Sequence, residues 1–408
     1  MKCRHCDTEL EHRFVDLGSS PPSNSYLSDA MMKAPEKWYP LKVLVCHHCW
    51  LVQTEDFVGA SEMFSDDYAY FSSFSSSWLQ HARNYVDMMI RRFHLHEQSC
   101  VVEIAANDGY LLQFVKHNNI PCYGIEPTHG TAEAAREKGL EIVEEFFGEQ
   151  QAKELVSQNK RADLLVANNV LAHVPDINDF IKGFTVLLKK DGVVTFEFPH
   201  LLNLVKYNQF DTIYHEHYSY LSLISVQSIL EKNGLNVFDV EELTTHGGSL
   251  RVYAQSSETG KQAISENVEA LLTQETIAGL NRLDFYTGFQ AKIETIKLDF
   301  VDFLIQAKRA GKQVAAYGAA AKGNTMMNFS GVHADLIAFV VDKNPAKQGK
   351  YMPGSRIPIK DEQYLKDNQV DYVVIFPWNL KNEIIAQLDY IKRDGKQFVL
   401  AIPELELL

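Results

Sequence analysis

Beyond residue 100 the apolar positions gather into short continuous runs, and the stretches between them carry a helical period. Runs of that length suit strands buried on both faces, and the alternation is that of a mostly parallel sheet covered by helices. It predicts strands over Ser99–Ala105, Cys122–Ile125, Ala162–Ala167, Gly192–Phe198 and Leu250–Gln255. Upstream, Trp78, Ala82, Tyr85, Val86, Met89 and Ile90 recur near helical spacing, so residues 75–95 read as a helix. Residues 258–312 lack proline and hold few glycines, the pattern of long helices joining two units. A second α/β unit follows, with strands expected over Gln313–Tyr317, Ala338–Val341, Tyr372–Ile375 and Gln397–Ala401. Residues 1–60 differ. There Pro21, Pro22, Pro35 and Pro40 separate brief extended runs such as Leu41–Cys46, with too little apolar material to hold together alone. Three domains are therefore expected, at 1–60, 61–257 and 258–408.

A chain of 408 residues, 46% hydrophobic and 23% charged, is globular and too long for one ordinary domain. No run approaches the roughly 18 apolar residues of a membrane span, and the opening MKCRHCDTEL has no signal-peptide core, so a cytoplasmic protein is expected. The net charge of −14 argues against general nucleic-acid binding, and any anionic substrate needs positive charge gathered locally. In a reducing compartment the six cysteines stay unpaired as disulfides.

Four of those cysteines form two C-x-x-C pairs, Cys3/Cys6 and Cys46/Cys49, within the proline-rich segment. Two thiolate knuckles match a closed, structural zinc site, and a metal supplies the cohesion this segment lacks. A redox pair or coincidental thiols explain neither the pairing nor its location. His5, His47 and His48 stand beside the cysteines as alternative ligands, while Cys100 and Cys122 read as packing residues.

The stretch from Val101 to Leu112 reads as strand, tight turn and helix start, where a nucleotide-binding fold carries glycines. Only Gly109 remains of these; Ala105 and Asn107 occupy the other positions, next to Glu103 and Asp108. The next strand ends at Glu126-Pro127, where a carboxylate is placed to accept both ribose hydroxyls. A dehydrogenase fits equally well to this point. An intact G-x-G-x-x-G is missing, however, and Asn168-Asn169 followed by His173 after the third strand suit a methyltransferase's transfer site, or helix capping. The densest proton-transfer chemistry is Tyr214-His215-Glu216-His217-Tyr218. An extended chain puts the two histidines on one face, whereas a turn mixes the faces, and sequence leaves that choice open. A packed aromatic loop and a metal site made by His215, Glu216 and His217 are the competing readings.

In the C-terminal unit Gly318, Lys322, Gly323, Asn324 and Thr325 follow a strand, and small residues with one lysine at a helix start suit a pyrophosphate. Lys343 and Lys347 lie beyond the next strand. Gly247, Gly248, Ser249 and Arg251 either line the substrate site or shape a hairpin turn.

Along its whole length the chain resembles the deoxysugar C-methyltransferases, the family of the C-3 methyltransferases of tetronitrose and mycarose biosynthesis. The marks are the paired C-x-x-C, Y-A-Y-F-S-S from Tyr68, E-I-A-A-N-D-G-Y from Glu103, Y-H-E-H-Y-S-Y from Tyr214, T-H-G-G-S-L-R-V-Y from Thr245 and Y-G-A-A-A-K-G-N-T from Tyr317. Ala105 departs from the glycine commoner at its position. The resemblance implies an α/β fold in three parts: a zinc-binding N-terminal domain, a Rossmann-like domain for S-adenosylmethionine (SAM), and a C-terminal Rossmann-like domain for a nucleotide-sugar. It assigns catalysis to Tyr68, His173, Tyr214, Glu216 and His217, adds Tyr70 and Phe71 to the SAM contacts, and implies a dTDP-linked 4-keto-6-deoxysugar as substrate. Chemistry agrees with that implication. A carbon beside a ketone becomes nucleophilic only after losing a proton, so the enzyme needs a base, donors for the enolate oxygen and a methyl donor in line. The roles expected are His217 as base oriented by Glu216, Tyr214 and His173 at the enolate oxygen, and Tyr68 closing the pocket. His173 and Glu216 remain alternatives for the base. C-5 methylation, an O- or N-methyltransferase, and a nucleotide-sugar oxidoreductase or epimerase are the competing functions.

Overall fold

The computed structural model describes residues 1–57, 59 and 71–408. The expected boundary at 60/61, together with Tyr68 and Tyr70, lies outside the described residues. Three sheets organise the chain. The first is antiparallel, ordered β1-β2-β3-β9, from β1 (His12–Ser20), β2 (Tyr39–Val45), β3 (Val52–Thr54) and, far along the chain, β9 (Ser219–Tyr220). Among the described residues, no helix of its own segment covers its apolar face. Phe14, Val15, Val43 and Val45 pack instead with Tyr286, Phe289 and Ile293, and Phe14 stacks on Phe289 with ring centroids 4.8 Å apart. The missing core of the N-terminal segment is thus lent by the helix Phe289–Arg309.

One end of this unit is pinned by the four cysteines. Cys3–Cys49, Cys6–Cys46 and Cys6–Cys49 sulfurs lie 3.5 Å apart, and all four fall within 4.8 Å of one another. A zinc bonded to four sulfurs at about 2.3 Å holds them about 3.8 Å apart, so the cluster fits the ion. The Gln53 amide donates to Cys3 Sγ at 3.2 Å, as suits a thiolate. His5 is not a ligand: its ring is engaged by Asn178 and Ser228 at 3.0 and 3.2 Å.

The central sheet runs β10-β11-β8-β7-β4-β5-β6, built from β4 (Val101–Ile104), β5 (Cys122–Ile125), β6 (Ile142–Val143), β7 (Ala162–Asn168), β8 (Leu188–Pro199), β10 (Leu235–Leu243) and β11 (Ser249–Ser256). Strands β4 to β8 are parallel, and β10 and β11 add an antiparallel edge. The chain order reverses at β4, which opens a crevice at the carboxyl ends of β4, β5 and β7. The third sheet, β14-β13-β12-β15-β16-β17, repeats this design with β12 (Val314–Tyr317) at its own reversal point. Its other strands are β13 (Val340–Val341), β14 (Ile359–Lys360), β15 (Tyr372–Ile375), β16 (Gln397–Leu400) and β17 (Glu406–Leu407). Every strand expected from the apolar runs is present with ends shifted by a few residues. The helix expected at 75–95 is Ser76–Phe93, and the connecting segment forms Glu266–Ala278 and Phe289–Arg309. The long strands β1 and β10 escaped the pattern, as did the two- and three-residue strands β3, β6, β9, β14 and β17; β1 carries two register irregularities and the sequence Gly18-Ser19-Ser20, which erase its alternation.

Glu275 fastens the connecting helix to the central unit. Its buried carboxylate accepts from Leu223 N at 2.7 Å and Ile224 N at 2.9 Å, the first turn of the helix Leu223–Lys232, and meets His200 Nε2 at 2.7 Å. Among the described residues, no helix is long and apolar enough to cross a membrane.

Cys46→Ser removes one sulfur from the cluster and is expected to reduce bound zinc well below one ion per chain. The melting temperature should fall by about 5 °C or more. Elemental analysis and calorimetric melting check both, and full zinc content in the variant would contradict the four-sulfur site.

Candidate active site

A single cavity of about 780 Å³ joins the two crevices. At its central-sheet end the turn after β4 places three left-handed residues in succession: Ala105 at φ 57°, Asn107 at 51° and Gly109 at 74°. A Cβ at Gly109 would lie 2.3 Å from Leu140, so glycine is required there. Ala105 bears the strain that a glycine at that position would relieve. The turn aims its backbone at the carboxylate of Glu126, which accepts from Asn107 N and Thr128 N, both at 2.9 Å. Ala105, Asn107, Glu126, Pro127, Asn168 and Asn169 line the cavity, with Ser72, Trp78 and Phe146 beside them. Glu103 is buried beneath this floor, and Asp108 turns away to Lys138 at 3.3 Å and Ser73 N at 3.3 Å. Phe71, half-buried, packs edge-on against Phe74 outside the lining. A backbone turn lining the cavity with a carboxylate at the end of the neighbouring strand fits an adenosyl ribose.

In the middle of the cavity the segment Tyr214–Tyr218 is a turn, closed by His217 N donating to Tyr214 O at 2.9 Å. The turn brings Tyr214 and His217 together, with ring centroids 3.9 Å apart, and sets His173 4.6 Å from His217. All three rings line the cavity. His217 Nδ1 lies 2.8 Å from the Thr212 carbonyl, which only accepts; Nδ1 therefore carries the proton and Nε2 the lone pair. Burial first, and the neighbouring His173 second, push the His217 ring well below its ordinary range, and burial takes His173 down to about 4. Both rings are neutral at pH 7. The other members of the motif leave the cavity. His215 faces Pro40 O at 3.1 Å, and Tyr218 lies under the Arg4 guanidinium. Glu216 does not orient His217, as sequence suggested; its Oε1 accepts from Asn24 N and Nδ2 at 3.1 and 3.2 Å. The dispersal of His215, Glu216 and His217 also disposes of a metal site made from those three.

Arg251 is likewise not at the cavity. It is buried behind β8 and donates to Glu197 at 2.9 Å and Glu241 at 3.1 Å. Burial opposes ionisation of Glu197, yet His81 and Arg251 hold its carboxyl below the ordinary range. Gly247, Gly248 and Ser249 shape the turn that precedes β11 rather than lining the site; Gly247 leaves room for Trp378, whose ring would meet a Cβ at 2.3 Å. That turn presents a residue the motif reading passed over, His246, held at φ 52° with Nε2 3.3 Å from the Asn169 amide and burial taking its ring down to about 4. A non-glycine residue in that region is a feature that sequence does not mark.

At the third-sheet end Ala320, Ala321, Lys322 and Lys347 line the cavity. Lys322 donates to Asn379 Oδ1 at 2.7 Å and lies 4.4 Å from the Trp378 ring centroid; Lys347 donates to Ala319 O at 2.8 Å. Burial lowers the Lys322 ammonium from its ordinary range. Gly318 forms the tight turn at φ 89° and Gly323 packs under Phe376, both off the lining. Asn324 and Thr325 serve docking: they bind Ser23 O at 2.6 Å and Ile213 O at 2.8 Å. Trp378 completes the junction by donating to buried Asp211 at 2.7 Å.

Burial raises the Asp211 carboxyl to about 6. A folded-state value above the unfolded one stabilises the protonated fold, so this group's contribution declines as pH rises from about 4 through 6. Asp211→Asn keeps an acceptor for Trp378 and is expected to flatten urea-measured stability between pH 5 and 7.5, by on the order of 1–3 kcal/mol. An unchanged pH profile would show that Asp211 is ionised in the fold throughout.

Comparison with known proteins agrees with this geometry. Three family models match in succession: a zinc binding domain over residues 3–64, a methyltransferase domain over 78–240 and a C-methyltransferase C-terminal domain over 244–403. The C-methyltransferase NovU of Streptomyces niveus is 32% identical over 403 residues, covering 99% of this chain and 96% of the relative. Among solved structures, magnesium protoporphyrin IX methyltransferase from Synechocystis with bound SAM is 15% identical. It covers 44% of this chain and 79% of its own, at a TM-score of 0.34. A SAM-dependent methyltransferase from Clostridium acetobutylicum is 11% identical over 44% and 92%, also at 0.34. Those scores are too low to bear an argument, and the full-length relative carries the assignment. With a thiolate cluster fitted to zinc and a crevice fitted to SAM, the chain belongs to the SAM-dependent C-methyltransferases, in the family that includes NovU.

Proposed function

We propose that this C-methyltransferase acts on the α-carbon of a nucleotide-linked keto-sugar, a dTDP-4-keto-6-deoxysugar methylated at C-3. The observation that carries the reading is the continuity of one cavity from Glu126, past Tyr214, His173 and His217, to Lys322 and Lys347. The protein's net charge is −14, so two lysines in one recess beside a helix start, Ala321–Ser330, form the local positive field that a pyrophosphate needs. An O- or N-methyltransferase of a small phenol leaves that remote anion site without a ligand. The resemblance supplies the sugar and the carbon.

SAM, when bound, would supply an electrophilic methyl group. The chain's residues do the rest. Asn107 and Glu126 hold the ribose end. His217, neutral and with its Nε2 lone pair free of the Thr212 carbonyl, removes the proton alpha to the ketone. Tyr214, its ring tilted against His217, donates its hydroxyl to the oxygen on which negative charge grows, while His173, edge-on to His217 and uncharged, spends its one N–H on the Glu216 carbonyl and walls the site. Burial keeps water from competing for that oxygen.

His217→Asn keeps the shape and removes the titrating nitrogen. Methyl transfer to a dTDP-4-keto-6-deoxysugar should fall by roughly 10²–10⁴-fold. Exchange of the substrate α-proton in deuterated water, followed without SAM, should fall with it. Near wild-type exchange in the variant removes His217 as the base and leaves His173 to be tested.

Glu126→Ala is expected to weaken SAM binding by about tenfold or more, the loss of a charge-assisted hydrogen-bond pair, with nucleotide-sugar binding retained. Titration calorimetry separates the two ligands; equal affinities for SAM in variant and wild type contradict the ribose assignment.

A further inference from the structure

The zinc-bearing unit reaches into the cavity. Between β1 and β2 the chain runs as a strap, Pro21-Pro22-Ser23-Asn24-Ser25-Tyr26-Leu27, across the junction of the other two units. Leu27 pairs with Tyr351, Tyr26 donates its hydroxyl to Ala319 O at 2.6 Å, and Ser23 O accepts from Asn324. Ser23 and Tyr26, on either side of Asn24, are thus fixed against the turn and helix start that follow β12. Asn24 itself lines the cavity, in company with Thr212, Tyr214, His217 and Lys347.

Its amide cannot rotate freely. Asn24 N and Nδ2 both donate to Oε1 of Glu216, a carboxyl 2% exposed whose Oε2 has no hydrogen-bond partner among the described residues. Burial raises that carboxyl from its ordinary range. With Nδ2 directed at buried Glu216, the amide oxygen Oδ1 is the polar atom left for the cavity, and no hydrogen bond to it forms among the described residues. A cavity-facing acceptor held in one orientation selects a donor.

We infer that Asn24 is a substrate-contacting, specificity-determining residue, whose Oδ1 accepts a hydrogen bond from a hydroxyl or amino group of the sugar ring. Glu216 is its positioning residue, acting through the Asn24 amide rather than through His217. This rests on the keto-sugar reading above and adds to it a required ring substituent and a contribution from the zinc-bearing unit. It also gives the carboxylate of the Y-H-E-H-Y motif a task that its geometry permits, since Glu216 faces the strap and not the base.

The test uses the full-length zinc-loaded enzyme, SAM and pairs of dTDP-4-keto-6-deoxysugars that differ in one hydroxyl, at C-2 or at C-3. In one pair the wild type should prefer the hydroxylated member by about tenfold in kcat/KM, the worth of one buried hydrogen bond. Asn24→Ala should bring that preference to within about twofold, with zinc content and SAM affinity retained. Asn24→Ser, a milder change at the same place, should lose the preference too, which guards against an Asn24→Ala protein that folds poorly. Glu216→Gln keeps an acceptor for the Asn24 amide and should keep the preference. Equal rates for both members of every pair in the wild type, or an equal slowing of both members by Asn24→Ala and Asn24→Ser, overturns the inference and leaves the keto-sugar reading standing. Loss of the preference in Glu216→Gln overturns the positioning role. Methyl transfer to no sugar of the panel overturns the keto-sugar reading itself, and this inference with it.

Discussion

The N-terminal sheet cannot bury its own apolar face, and the rest of the molecule is arranged around that deficit. A sheet of short strands closed by four thiolates holds its shape locally, but Phe14, Val15, Val43 and Val45 still need a covering layer. They find it in the helix Phe289–Arg309, which also packs against the third sheet's helix Ala321–Ser330. One shared core therefore sets the first and third units side by side. Burial at roughly 25 cal/mol per Å² makes this shared face a far stronger tie than any hydrogen bond across it.

That docking fixes what the cavity contains. With the zinc-bearing unit seated on the helix, its strap has to cross between the catalytic turn and the third sheet, where Asn24 meets Glu216 and Tyr26 meets Ala319. Strand β9 adds the matching tie, since Ser219 and Tyr220 follow the Tyr214–Tyr218 turn directly and pair with β3. The turn is thus held from one side by the first sheet and from the other by Trp378 and Thr325 of the third unit, through Asp211 and Ile213. A zinc site that sequence reads as a stability device is mechanically continuous with the active site. The strap that links strands β1 and β2 contributes Asn24 to the cavity lining.

Electrostatics in the cavity follow from burial. His173, His217 and His246 are all driven to the neutral form by burial, and Lys322 is lowered by the same cause. A neutral base beside neutral donors suits removal of a weakly acidic carbon-bound proton, because no permanent cation ties up the lone pair before substrate arrives. Charged side chains stand at the two ends of the cavity, Glu126 at one and Lys322 and Lys347 at the other, while Glu197 is paired with Arg251 and His81 behind the sheet and Asp108 with Lys138 beyond the turn.

The sequence by itself determined the elements and the cofactor crevice. Apolar runs locate buried strands because a strand covered on both faces needs hydrophobic side chains throughout, and paired C-x-x-C motifs locate zinc because ligand spacing is local. The turn from Glu103 to Gly109 and the carboxylate at Glu126 were legible for the same reason: each lies within a single strand-turn-helix unit. What only tertiary structure decided is which side chains of a dense motif face the ligand. Tyr214 and His217 do, while His215 and Glu216 do not, because a backbone turn replaces the alternation of an extended chain. Arg251, Asn324 and Thr325 looked like binding residues and proved to hold elements together. Asn24 and Trp78 carry no motif around them, and His246 stands inside one that does not mark it; they reach the site, as Trp378 reaches its junction, through contacts between segments far apart in the chain, which packing sets and local pattern does not.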